Sequence, residues 1–137
     1  MPERKPSKTI LCVEDEELQL RLRKALFESA GYRVLLARSG VEALQAFESN
    51  AVDAVVLDYS LAGANGVAVA TQIKQQSPSV PIVVLSGYGL RPEQAEGVVD
   101  RWFQKADIEP EDLLSEVREL LVARSEGESG QREQPPW

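Results

Sequence analysis

Residues Val55 to Gly66 read VVLDYSLAGANG. An apolar run of strand type ends on an aspartate, Asp58, and passes into a loop that contains two glycines. Taken alone, such an aspartate does no more than solvate the end of a buried strand. Whether it does more depends on what the neighbouring strand ends carry.

Working outward, the chain alternates strand-like and helix-like segments. Thr9 to Val13 reads as a buried strand, and Leu18, Leu22, Ala25, Leu26 and Ser29 then recur at helical spacing until Gly31. Tyr32 to Ala37 is a second strand, followed by a helix announced by Ser39 and Glu42 at capping-box spacing and carried by Ala43, Leu44 and Phe47. Ala54 to Leu57 is the third strand. The helix after it carries Val67, Val69, Ala70 and Ile73 and should stop before Pro78. PIVVLS is a fourth buried strand, Pro92 suits the first turn of a short helix through about Val99, and Trp102 to Gln104 is a brief fifth strand. Leu113, Leu114, Val117, Leu120 and Leu121 trace the apolar stripe of a last helix. The polar segment 1–8 and the Pro/Gly/Ser-rich segment 125–137 read as a disordered arm and tail around one domain, 9–124.

Five strands alternating with five helices predict an α/β fold, a parallel sheet with helices on both faces. The length, 137 residues, suits one domain with a substantial core. A net charge of −7 argues against direct nucleic-acid binding, which needs clustered Lys and Arg. No apolar run has membrane-spanning length, and the single cysteine, Cys12, sits inside the apolar TILCV, so a cytoplasmic setting with no membrane partner is expected. The chain has no histidine, which excludes His-ligated metals and Ser/His/Asp triads.

Ligands of such folds bind beyond the carboxyl ends of the strands. There stand Glu14, Asp15 and Glu16 after strand one, Asp58 after strand three, Ser86 after strand four and Lys105 after strand five. Carboxylates gathered from two strand ends repel unless a cation joins them, so Glu14, Asp15 and Asp58 imply a divalent ion. Oxygen-only ligation favours Mg²⁺, which pairs with phosphate groups. Asp58 could then take a phosphoryl group as an acyl phosphate, its oxygens met by Mg²⁺, the Lys105 ammonium and the Ser86 hydroxyl.

With ILCVEDE, LDYSLAGANG, PIVVLSGY and FQKADIEPEDLL in this order, the chain resembles the receiver domains of two-component response regulators, over Thr9 to Arg124. The resemblance implies a flavodoxin-like fold with strand order 2-1-3-4-5. It makes Asp58 the phosphoacceptor, Glu14 and Asp15 the acidic pair, Ser86 the switch hydroxyl and Lys105 the phosphate-binding lysine. It adds the carbonyl of Ser60 as a Mg²⁺ ligand, turns the amides of Tyr59 and Gly87 toward the phosphoryl oxygens, and sets Trp102 at the aromatic switch position. The implied donor is a sensor histidine kinase or phosphotransfer protein, and the output is contact with a downstream protein.

The chain departs from the family pattern at Ala62 and Ala106, where proline is usual, and the segment from Ser86 to Lys105 is short by most of a helical turn. A cis bond before Ala106 would cost roughly 2.5 to 4 kcal/mol, so Lys105–Ala106 is expected to be trans. Tyr88 stands where it could cover the phosphoryl group. The leading expectation is a stand-alone phosphoaccepting receiver, not an enzyme. A degenerate receiver serving as a phosphorylation-independent interaction module is the alternative. A Mg²⁺-dependent phosphohydrolase is disfavoured because Ser60 stands where such enzymes place a second aspartate.

Overall fold

The computed structural model describes residues 7–61, 64–87 and 91–133, with side chains through Glu126. Ala62, Tyr88, segment 1–6 and segment 134–137 lie outside the described residues. Five strands, β1 (Thr9–Val13), β2 (Arg33–Ala37), β3 (Ala54–Asp58), β4 (Ile82–Ser86) and β5 (Arg101–Gln104), form one sheet in the order β2-β1-β3-β4-β5. Every pairing in it is parallel. The helices are α1 (Glu17–Ser29), α2 (Gly40–Ser49), α3 (Gly66–Gln76) and α4 (Pro110–Glu133).

The three inner strands are buried along their whole length, because helices cover both sheet faces and every side chain must suit an apolar layer. Alternation along each strand divides the core in two. Leu11, Val13, Val55, Leu57 and Val84 point toward α2 and α3, where they meet Ala43, Phe47, Val67, Ala70 and Ile73. Ile10, Cys12, Val56, Val83 and Leu85 point toward α1 and α4, where they meet Leu20, Phe27, Leu113, Val117 and Leu121. The fold class and strand order are those expected.

The α2 entry also follows the sequence signal. Ser39 Oγ accepts from the Glu42 amide at 3.1 Å, while the Glu42 carboxylate accepts from the Arg38 amide at 3.2 Å, one residue earlier than a regular capping box. Asn65 caps α3 in the same manner, accepting from the Ala68 amide at 2.9 Å.

Three expectations are corrected. In α1 the stripe Leu18, Leu22, Ala25 and Ser29 faces solvent, and the buried residues are Leu20, Arg23 and Phe27. The short helix from Pro92 contracts to a single 3₁₀ turn, Glu93–Ala95. Among the described residues the connection from β4 to β5 is pinned instead by buried Ala95 and Val99 and by Asp100. The Asp100 carboxylate accepts from the Ile82 amide at 2.7 Å and from Lys74 at 2.9 Å. Finally, α4 continues to Glu133, past the boundary drawn at residue 124. Composition turns polar there and includes Gly127 and Gly130, but Glu, Gln and Arg are good helix formers and no proline intervenes before Pro135. A two-stranded ribbon, Ser60–Leu61 with Ala64–Asn65, precedes α3 and has no counterpart in the sequence reading.

Candidate functional site

The sheet brings the predicted residues to one end. Glu14 directly follows β1, its amide bonded to the Ala37 carbonyl at 3.0 Å. Asp58 is the last residue of β3 and pairs in register with Leu85, one residue before Ser86. Lys105 directly follows β5, and its amide donates to the Ser86 carbonyl at 2.8 Å. Register alone therefore fixes the backbones from which the carboxylates, hydroxyl and ammonium project.

Glu14 and Asp58 are 1% and 3% exposed, whereas Asp15 is exposed. One carboxylate oxygen from each of Glu14, Asp15 and Asp58 lies within 4.8 Å of the others. The Lys105 ammonium bridges two of them, 3.0 Å from Asp58 Oδ1 and 3.2 Å from Glu14 Oε2. The first contact is one of charge: among the described residues no donor makes a well-aligned hydrogen bond to buried Asp58 Oδ1. Three carboxylates, two of them buried, with no nitrogen or sulfur ligand among them, fit a hard divalent cation such as Mg²⁺.

Burial pushes the Asp58 carboxyl above its ordinary pKa, and the Glu14 charge adds to the rise; Lys105 and Arg23 oppose it. A cation that offsets the excess negative charge favours the ionised, nucleophilic form. Burial also pushes the Cys12 thiol up to about 12, so it is an inert core residue.

Around this centre, Gly66 makes the loop possible. A Cβ there would stand 2.6 Å from the Asp58 carbonyl oxygen and 2.9 Å from Tyr59 Cα, so only glycine lets α3 start against the end of β3. The Tyr59 amide is corrected: it donates to the Leu85 carbonyl at 2.9 Å, extending the β3–β4 ladder, and is not turned toward a phosphoryl group. The Tyr59 ring instead packs on half-buried Trp102, with centroids 5.2 Å apart. Lys105–Ala106 is trans, there being no cis peptide among the described residues.

Sequence reasoning missed Arg23. Its guanidinium is buried on α1 and donates to Glu14 Oε2 at 3.1 Å. The signal was present as spacing, since Arg23 follows Leu20 by three and precedes Phe27 by four, on the helix face that is buried.

A parallel α/β sheet whose strand ends gather an acidic pair, a buried aspartate, a hydroxyl and a lysine defines a class, and comparison with known proteins gives the family. A profile for the response regulator receiver domain matches residues 10–105, so the chain belongs to that family. It is 32% identical over 126 residues to the response regulator MprA of Mycobacterium sp. (strain KMS), covering 90% of this chain and 54% of MprA. It is 37% identical over 81 residues to the autoinducer 1 sensor kinase/phosphatase LuxN of Vibrio campbellii, which covers 59% of this chain and 10% of LuxN. The chain thus spans only a fraction of these relatives. A CheY-like receiver domain from Methanospirillum hungatei superposes with a TM-score of 0.83 at 24% identity, over 89% of this chain and 99% of that one. TrrA of Thermotoga maritima, solved in complex with Mg²⁺-BeF, superposes with a TM-score of 0.76 at 30% identity, over 82% of this chain and 98% of its own.

Proposed function

We propose that residues 9–124 act as a receiver that accepts a phosphoryl group on Asp58 and signals by protein contact. The observation that carries this reading is the state of Asp58: buried beside Glu14 at the end of β3, with the Lys105 ammonium 3.0 Å from Oδ1. An Asp58 oxygen attacks phosphorus, the phosphorus–nitrogen bond of a donor phosphohistidine breaks, and its electron pair returns to the imidazole. Lys105 and the Ser86 hydroxyl receive the phosphoryl oxygens. Glu14, Asp15, Asp58 and the Ser60 carbonyl would hold Mg²⁺, which supplies neutralisation of the charge gathered on the transferring group. The chain is then a carrier of the group rather than an enzyme of multiple turnover, and its setting is the cytoplasm.

The donor, a sensor histidine kinase or phosphotransfer protein, must cover the ground beside the site. Leu18 and Leu22 are 61% and 55% exposed on α1. A groove of about 460 Å³ beside them is lined by Leu22, Leu26, Ile108, Pro110 and Leu113 together with Lys105. Apolar surface adjoining the phosphate-binding lysine suits a docking protein.

A second reading, an interaction module independent of phosphorylation, is favoured by the reduction of the fourth helix to one 3₁₀ turn. Acetyl phosphate with Mg²⁺ separates the two. The intact mass is expected to rise by one phosphoryl group per chain, with the gain lost in Asp58→Asn. A parent that stays unlabelled at saturating Mg²⁺ leaves the second reading standing.

A further inference from the structure

Glu14 Oε2 receives two cations. Lys105 reaches it at 3.2 Å from the open side of the site, and Arg23 reaches it at 3.1 Å from beneath, with its side chain 7% exposed. The other oxygen, Oε1, accepts from the Glu16 amide at 3.3 Å. Lys105 already pairs with Glu14 and can move with its flexible stem. Arg23 is fixed in the wall of α1, and a guanidinium keeps its charge at every accessible pH. The pocket therefore has a permanent positive charge one carboxylate removed from where Mg²⁺ would bind.

We propose that Arg23 sets the ion preference of the pocket, weakening its hold on a divalent cation and strengthening its hold on the anionic phosphoryl group. A fixed positive charge repels an arriving cation and attracts an arriving anion, and because Arg23 and Glu14 are buried, solvent screens both effects only in part. Attaching a phosphoryl group to Asp58 makes the site more negative. The charge that opposes Mg²⁺ in the resting protein then stabilises the loaded one. Arg23 is a positioning residue, since it acts through Glu14 and touches neither phosphorus nor metal. This inference rests on the Mg²⁺ reading proposed above.

The opposed signs give the test. In the full chain, Mg²⁺ alone is titrated by amide NMR, and beryllofluoride is then titrated at saturating Mg²⁺. Arg23→Met keeps the buried stem without the charge and is expected to bind Mg²⁺ about three- to tenfold tighter and beryllofluoride weaker by a similar factor. Arg23→Lys restores the charge and should fall within about twofold of the parent for both. Simple loosening of the site would weaken both ligands together, so affinities moving in the same direction, or not at all, overturn the proposal. Should Arg23→Met fail to fold because Glu14 loses a partner, Arg23→Gln, which keeps a donor for Glu14 Oε2 without the charge, takes its place, and the same opposed shifts are required. Failure of the parent to bind Mg²⁺, or binding indifferent to Asp15→Asn, overturns the metal site itself. An intact, Asp15-dependent site without the opposed shifts overturns only the role of Arg23.

Discussion

Helices α1 and α2 flank the same end of the sheet yet spend their apolar residues differently. In α2, Ala43 and Phe47 are buried against β1 and β2, Leu44 packs beside them, and Val41 alone is a large exposed hydrophobic. In α1 Leu18 and Leu22 stand in solvent, while the core receives Leu20 and Phe27 and an arginine, Arg23, occupies the buried position between these two. The N-termini differ as well: Ser39 caps α2 with its side chain, whereas Glu16, at the head of α1, makes no such bond. α2 is built as scaffold. α1 is built as a wall with two different sides, one touching Glu14 and the other presenting leucines to solvent.

That contrast breaks first on stability. Phe27 is fully buried and meets Tyr32 edge-on with centroids 6.1 Å apart, and Phe47 is its counterpart in α2. Phe27→Ala and Phe47→Ala should each cost about 3 to 5 kcal/mol in urea unfolding, with little change in the slope against denaturant. Leu18→Ala and Leu22→Ala should stay within about 0.5 kcal/mol of the parent. If Leu22→Ala costs as much as Phe27→Ala, the leucines of α1 are core after all.

The second test asks what those leucines are for. Leu18→Asp/Leu22→Asp should slow phosphotransfer from a purified phosphotransfer protein that labels the parent by about tenfold, equivalent to about 1.4 kcal/mol. Labelling by acetyl phosphate, which needs no docking, should remain within about twofold. Val41→Asp, an equally exposed site on α2, should change neither rate. Slowing by Val41→Asp, or of acetyl phosphate labelling, would erase the distinction between the helices.

The same contrast explains which parts were legible in the sequence. β1, β3 and β4 were readable because strands covered on both faces become unbroken apolar runs, and each run ends on or just before a residue of the proposed site: Glu14, Asp58, Ser86. The α2 face was readable because its apolar spacing and its cap agree. For α1, leucines at helical spacing outnumbered the core positions, and periodicity cannot tell a face turned to a partner from one turned to the core. A buried arginine goes against the usual partition of charge, so Arg23 emerges only when Glu14 is seen beside it. The fourth connection was legible as a shortage of residues but not as a 3₁₀ turn, since the anchoring Asp100 carboxylate acts across 18 residues on the Ile82 amide. The Tyr59 amide was misassigned because strand pairing claims it one residue past the end of β3.

The smallest effect reads the reach of α1 into the site through pH. Burial and the Glu14 charge raise the Asp58 pKa, while Lys105 and Arg23 pull it down without cancelling the rise. The folded protein therefore holds this proton more tightly than the unfolded chain does. Below the unfolded pKa both states are protonated and nothing is lost; as pH rises through the folded pKa, Asp58 must ionise in a place that disfavours its charge, and stability falls. Asp58→Asn has similar shape and no charge, so it should be more stable than the parent at neutral pH by about 0.5 to 2 kcal/mol, a gain typical of relieving an active-site strain. That difference should shrink toward zero as pH falls below the ordinary carboxylate range. Because Arg23 is one of the charges holding the pKa down, the gain from Asp58→Asn should be larger in an Arg23→Met background, while Glu42→Gln on α2 should leave it unchanged. A gain independent of pH would mean that shape, not charge, governs Asp58, and equal gains in the Arg23→Met and Glu42→Gln backgrounds would mean that α1 touches the site no more than α2 does.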